Sequence, residues 1–222
     1  MRDLTAKAGG SIFAVGDIHG CLSHLEKLIQ LLPLHEDRDS LVFIGDYIDR
    51  GDDSRGVVDY VLELKRKLGR TVCLMGNHER MFLDYLAGKE EALFLYNGGK
   101  QTLLSYGFQG GKKPAPTDLP DGHEAFYRGL QYLYETDEFI FVHAGLRPGI
   151  PPAQQDPYDL CWIRFEFIRS DYDFGKTVVF GHTPLSRTTP FMGTGKIGID
   201  TGAVYGGRLT CLELPGMRFY QV

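Results

Sequence analysis

An α/β fold built on a parallel sheet is what this sequence predicts. Short β-type runs alternate with stretches of helical period in its first third. Five β-type runs, spread along the chain, each stop at a glycine-containing turn, and each turn carries Asp, His or Asn. Strand, loop, helix and strand repeated in that order make a parallel sheet with helices on its faces.

The first run, 11–15, enters Gly16-Asp17-Ile18-His19-Gly20. Leu22, Leu25, Leu28, Ile29 and Leu32 then repeat at helical spacing. The second run, 41–44, enters Gly45-Asp46-Tyr47-Ile48-Asp49-Arg50-Gly51. Asp53 or Ser54 is placed to cap a helix carrying Val57, Val58, Val61, Leu62 and Leu68, and Gly69 ends it. The third run, 71–75, enters Gly76-Asn77-His78-Glu79. From 79 to 131 the pattern is helix, a Gly/Pro-rich loop over 107–122, and helix again; Pro114, Pro116 and Pro120 argue against regular structure in the loop. Asn97-Gly98-Gly99 reads as a helix stop. Residues 132–136 and 138–142 read as paired strands turning at Asp137, and the second enters His143-Ala144-Gly145. After an irregular stretch over 148–157, the run 177–180 enters Gly181-His182-Thr183. The segments 196–200, 208–214 and 217–222 read as short antiparallel strands. No linker divides motifs that run from 17 to 182, so one domain over 1–222 is expected.

Composition narrows the function. The chain has 222 residues, 43% hydrophobic and 24% charged, as an ordinary globular protein does. No apolar run approaches the ~20 residues that cross a membrane. Residues 1–10 do not resemble a secretory signal, so a cytoplasmic location and no membrane partner are expected. A net charge of −5 without a basic tract excludes nucleic acid as a partner, but not an anionic substrate in a locally basic cleft. Cys21, Cys73, Cys161 and Cys211 are scattered and form no CxxC pair, and read as small hydrophobes. Without heptads, a monomer is expected.

The turn residues carry the chemistry. Asp17 and His19, two apart in an extended turn, can meet one cation. Asp46 has two oxygens with which to bridge two. Asn77 adds an amide oxygen, and His143 and His182 add imidazoles. This oxygen and nitrogen set, without thiolate, suits manganese, iron or zinc. Six ligands are too many for one ion with open positions and fit two ions sharing Asp46. Two divalent ions, two carboxylates and a bridging hydroxide leave about one positive charge, which attracts a phosphate dianion and yields hydroxide near neutral pH. His78, beside Asn77, is placed to act as general acid. Asp49 is placed to fix its tautomer and raise its pKa. Arg50 and Arg164 offer guanidinium forks for phosphate oxygens.

Residues 16–20, 45–51 and 76–79 resemble, in order, the three signature motifs of the phosphoprotein phosphatase family of calcineurin-like metallophosphoesterases. The likeness is greatest to its small bacterial and phage serine/threonine phosphatases, and extends to Trp162-Ile163-Arg164, Phe180-Gly181-His182-Thr183-Pro184 and the segment 199–204. The resemblance implies a four-layer αββα sandwich. It places one metal on Asp17, His19 and Asp46 and the other on Asp46, Asn77, His143 and His182. His78 would be the acid, Asp49 its partner, and Arg50 and Arg164 the phosphate clamps. Two divalent ions are expected, manganese first, with iron or zinc sharing the ligands. The reaction implied is attack by a metal-bridging hydroxide on phosphorylated proteins or peptides. Dinucleoside polyphosphate hydrolases share the scaffold, but typically lack the acid before Arg50 and carry Asp in place of Glu79. A non-catalytic binding module would have lost ligands, and none is lost here.

Other signals read as structure. Gly175-Lys176-Thr177 ends like a phosphate loop, but position 170 is Ser and the β-run follows it. His24, His35 and His123 read as solvated, and so do Lys112 and Lys113. Tyr205 reads equally as packing or pocket.

Overall fold

The computed structural model describes residues 10–108 and 113–222. Residues 1–9 of the N-terminal stretch and 109–112 of the Gly/Pro-rich loop, including Lys112, lie outside the described residues. The N-terminal elements follow the expected order: β1 (Ile12–Val15), α1 (Leu22–Leu31), β2 (Ser40–Phe43), α2 (Ser54–Leu68), β3 (Thr71–Cys73) and α3 (Asn77–Leu86). The α2 helix shows why. The Asp53 carboxylate accepts from the Gly56 N–H at 2.8 Å and caps its start. Val57, Val58, Val61, Leu64 and Leu68 are buried along one stripe, and Gly69, left-handed at φ 61°, ends it.

Next come α4 (Glu91–Phe94), a kinked segment over Leu95–Gly99, α5 (Lys100–Ser105) and α6 (His123–Arg128). The chain finishes with β4 (Leu133–Glu135), β5 (Phe139–Val142), α7 (Pro157–Trp162), α8 (Phe165–Ile168), β6 (Thr177–Phe180), β7 (Phe191–Gly193), β8 (Lys196–Gly198), β9 (Thr210–Leu214) and β10 (Arg218–Gln221).

The strands form two sheets, ordered β10-β9-β1-β2-β3 and β4-β5-β6-β8-β7. Alternation along each strand decides how they pack. Ile12, Ala14, Val42, Ile44, Val72 and Leu74 of the first sheet meet Phe141, Val179, Ile197 and Ile199 of the second in one apolar seam. The alternate residues Phe13, Val15, Leu41, Phe43 and Cys73 face α1, α2 and α3. Ile140, Val142, Val178 and Phe180 face α7 and α8. Helices, sheet, sheet, helices: this is the αββα sandwich that the resemblance implied.

Because β1, β2 and β3 are mutually parallel, the loops after them emerge at one edge. Parallel β5 and β6 do the same in the second sheet. The predicted β4–β5 pairing is present.

Some expectations are corrected. The segment from Lys196 is not purely antiparallel: β8 runs parallel to β6 and antiparallel to β7, which the sequence did not suggest. Asn97-Gly98-Gly99 breaks the helix as expected, since Gly98 at φ 101° is non-helical, but a new helix, α5, starts directly at Lys100. His123 is buried, not solvated, between the Tyr106 hydroxyl at 2.7 Å and the Asp59 carboxylate at 2.9 Å.

Candidate active site

The loops at the shared edge are bent hard. His19, Asp46, Asp49, Arg50 and His182 all have left-handed backbones, with φ of 47°, 53°, 72°, 70° and 63°. For non-glycine residues each such bend costs of order 1–2 kcal/mol, and it persists only where neighbours enforce it. The enforcement is visible. Buried Glu79 accepts from the N–H groups of Asp46 at 2.9 Å, Tyr47 at 2.8 Å, Ile48 at 3.3 Å and Gly76 at 3.1 Å. One carboxylate thus clamps the loop after β2 to the start of α3. The Asp46 carbonyl in turn accepts from the Ile18 and His19 N–H groups, at 3.0 and 2.9 Å. Gly45 has to be glycine: its φ is 107°, and a Cβ there would lie 2.7 Å from the Gly76 nitrogen.

These bends gather polar side chains from both sheets. His19 Nε2 lies 3.4 Å from Asp46 Oδ2, and His143 Nε2 lies 3.4 Å from Asp46 Oδ1. Asn77 Oδ1 is 3.0 Å from His143 Nε2. Ligand-type atoms of Asp46, His143 and His182 lie within 4.8 Å of one another, and so do those of His19, Asp46 and His78. Asp17 is adjacent, but its carboxylate accepts from the His182 backbone N–H, at 3.0 and 3.2 Å.

The ring protons show what the cluster suits. His19 Nδ1 is 2.8 Å from the Ile48 carbonyl and His143 Nδ1 is 2.9 Å from the Ile44 carbonyl. A carbonyl only accepts, so both Nδ1 atoms carry the proton. Burial holds the rings well below the usual imidazole range, His143 down to about 3, so they are neutral and each Nε2 keeps its lone pair, which in His19 accepts from Arg50 and in His143 faces the oxygens of Asn77 and Asp46. His182 bonds to the Trp162 backbone, and its Nε2 is buried without a hydrogen-bond partner among the described residues. Bare nitrogens and carboxylate oxygens aimed at common points repel unless a cation lies among them. Burial, with Asp200 and Asp46 adding to it, raises Asp17 well above the usual carboxylate range; burial and then Glu79 do so for Asp46. The donor set fits divalent cations bound through oxygen and nitrogen.

Beside this cluster, His78 Nδ1 and Asp49 Oδ2 are 2.6 Å apart, both buried. The second Asp49 oxygen accepts from the Thr102 hydroxyl at 2.5 Å, and the Asp49 N–H faces the hydroxyls of Thr102 and Ser54 at 2.9 and 3.0 Å. The expectation that Asp49 raises His78 is not met. Burial first, then the neighbouring rings of His19, His143 and His182 and the Arg50 cation, push His78 down, while burial raises Asp49.

An open cavity of about 400 Å³ rises from this floor, lined by Asn77, His78, Arg50, Arg164, Arg187, Asp200, Trp162 and Tyr205 among others. Arg50 Nη1 donates to His19 Nε2 at 2.5 Å, with its guanidinium 5.4 Å from the Tyr205 ring centre. Arg164 Nη1 donates to the His182 carbonyl at 3.0 Å and the Thr183 hydroxyl at 3.1 Å.

A family model described as calcineurin-like phosphoesterase matches residues 10–209. The chain belongs to that family. Serine/threonine-protein phosphatase 1 of Salmonella typhimurium is 33% identical over 95% of this chain and 95% of its own. Bis(5'-nucleosyl)-tetraphosphatase PrpE of Bacillus thuringiensis is 27% identical over 94% of this chain and 92% of its own. Among solved structures, a candidate diadenosine tetraphosphatase matches with TM-score 0.74 and 26% identity, over 97% of this chain and 94% of that one. A cold-active protein tyrosine phosphatase shares the fold, at TM-score 0.68 and 17% identity, over 96% of this chain and 76% of that one. The resemblance to the phosphoprotein phosphatases is therefore borne out, and the protein is a metallophosphoesterase of that type. No described helix is long and apolar enough to cross a membrane.

All ten residues singled out in the sequence lie at or beside this phosphoesterase cavity. The structure differs in detail: it groups His78 with His19 and Asp46, and turns Asp17 to the His182 N–H. Sequence reasoning missed the clamp Glu79, the support Thr102 and the wall residues Asp200 and Arg187. Glu79, third in α3 and reaching back to Gly76, fits half of a capping-box pattern, which was a usable signal. Nothing in the sequence links Thr102 to Asp49.

Proposed function

We propose that this chain is a single-domain serine/threonine protein phosphatase that hydrolyses phosphomonoesters in proteins or peptides, with two divalent ions, manganese first. In this reading Asp17, His19 and Asp46 hold one ion, and Asp46, Asn77, His143 and His182 the other. Bound there, the ions would supply Lewis acidity and an acidified water. Arg50 and Arg164 orient the phosphoryl group from two sides through guanidinium forks. With the Asp49 carboxyl raised by burial and donating its proton to His78 Nδ1, the neutral ring keeps its own proton at Nε2, on the edge 3.9 Å from Asp46 at the cavity floor, and delivers it from there to the departing oxygen.

The Asp49–His78 pair, at 2.6 Å, carries the choice of substrate. A serine or threonine alkoxide is a poor leaving group and needs a proton as its bond to phosphorus breaks. A nucleotide phosphate is a far weaker base than an alkoxide and leaves readily without one. A buried, buttressed acid is thus worth most on an alkyl phosphomonoester. Identity of 33% to a serine/threonine phosphatase supports the same reading. Dinucleoside tetraphosphate hydrolysis is the second reading, favoured by the tetraphosphatase relatives.

The test is a parallel panel with Mn²⁺: phosphoserine, phosphothreonine and phosphotyrosine peptides and diadenosine tetraphosphate. Highest kcat/KM on the phosphoserine or phosphothreonine peptide is expected. A preference for the dinucleotide would replace this reading with the second.

A further inference from the structure

The cavity holds one more cation than a phosphomonoester needs. Arg50 and Arg164 each have an assigned neighbour at the floor: the His19 ring for one, the His182 carbonyl and Thr183 hydroxyl for the other. Arg187 lines the same cavity at its exposed outer wall. Its guanidinium has no ion-pair or hydrogen-bond partner among the described residues. Asp200, the acidic side chain on that wall, is turned instead to the Gly202 N–H at 2.9 Å.

Arg187 is nevertheless held in place. Its carbonyl accepts from the Arg208 N–H at 3.1 Å. Its stem packs over Gly202, in a cradle shared with Tyr205 and Pro184; a Cβ on Gly202 would lie 3.7 Å from Arg187 Cγ and 3.6 Å from the Tyr205 ring. Tyr205 in turn faces the Arg50 guanidinium. Arg50, Tyr205 and Arg187 therefore form one wall running from the floor to the rim. A phosphoryl group on the floor has its oxygens shared among the floor groups and two guanidinium forks. A third cation, further out along the wall and unneutralised, faces whatever the phosphorylated residue is attached to.

We infer that Arg187 reads a second anion on the substrate: the carboxylate or phosphate of a side chain beside the phosphoserine or phosphothreonine that is hydrolysed. The inference rests on the protein-substrate reading proposed above. Arg187 is a specificity residue and takes no part in the bond-breaking step. A charge-assisted contact at a partly exposed rim changes affinity by about tenfold.

The experiment compares wild type, Arg187→Lys and Arg187→Glu on one phosphoserine peptide flanked by Glu, by a second phosphoserine, by Gln or by Lys. For wild type, kcat/KM about tenfold higher on the anion-flanked peptides than on the Gln peptide is expected, through KM rather than kcat. The Glu and phosphoserine arms show which anion is preferred. Arg187→Lys should keep part of the preference, and Arg187→Glu should invert it toward the Lys-flanked peptide, an outcome that general damage to the fold does not produce. Equal wild-type rates on all peptides, or a loss in Arg187→Glu that is the same on every peptide, would remove the role of Arg187 while leaving the protein-phosphatase reading in place. Turnover of p-nitrophenyl phosphate with no hydrolysis of any peptide would overturn that reading and this inference together.

Discussion

Glu79→Gln is the most revealing single substitution in this molecule, because it keeps shape and changes only what the two terminal atoms can do. In the wild type, Oε2 accepts from Asp46 and Gly76 at 2.9 and 3.1 Å, and Oε1 accepts from Tyr47 and Ile48 at 2.8 and 3.3 Å. A carboxamide has one accepting end. Whichever way it is turned, its NH₂ group meets two backbone N–H groups head on, and those lose their acceptor at a buried position. Each buried orphan costs about 1–3 kcal/mol, so the pair costs about 2–6 kcal/mol. That is a large share of the 5–15 kcal/mol typical of a domain. Burial pushes the Glu79 carboxyl up to about 7, so denaturant unfolding is best measured near pH 8, where the wild type is ionised. Released from its clamp, the left-handed bend at Asp46 should also relax, and the Mn²⁺ concentration for half-maximal activity should rise. An unfolding free energy within about 0.5 kcal/mol of wild type would refute the clamp.

Three further outcomes are expected. Excess chelator should abolish hydrolysis of p-nitrophenyl phosphate and Mn²⁺ should restore it; full activity in chelator would discard the metal reading. His78→Asn should lower turnover of alkyl phosphates by roughly 10²–10⁴-fold and of p-nitrophenyl phosphate much less, since the better leaving group needs less help; equal losses on both would remove His78 as the acid. Gly98→Ala should destabilise by about 1–2 kcal/mol for its left-handed φ alone. Its new Cβ would also lie 2.7 Å from Arg50 Cγ, so KM for phosphate esters should rise along with the fall in Tm; an unaltered Tm would contradict the close approach.

The sequence was legible wherever the physics is local. Strands alternating with helices, the capped α2 helix and a polar residue soon after each strand are short-range signals, and together they pointed to one edge of a parallel sheet and to the residues that line it; the second sheet and the sandwich came from the family resemblance. Long-range partners were not legible. Thr102 supports Asp49 from 53 positions away, and His123 is drawn inside by Asp59, 64 positions before it. Nothing near either residue in the sequence distinguishes it from a surface threonine or histidine. The three-residue β7 strand and the parallel setting of β8 depend on what β6 offers as a neighbour, which periodicity does not encode. Asn97-Gly98-Gly99 was legible as a break in the helix because glycine takes the left-handed conformation freely; that the break lies against Arg50 is a long-range fact the local pattern does not carry.

The seam between the two sheets is lined by apolar side chains, whose contacts are non-directional and dictate no exact alignment of one layer on the other. Alignment is set at the rim, where His143 reaches across to the Ile44 carbonyl and Asp17 reaches back to the His182 amide. The cluster is thereby a gauge of interlayer slip. Repacking far down the seam, at Val72 or Ile197 for instance, should register as altered catalysis well before it registers as unfolding.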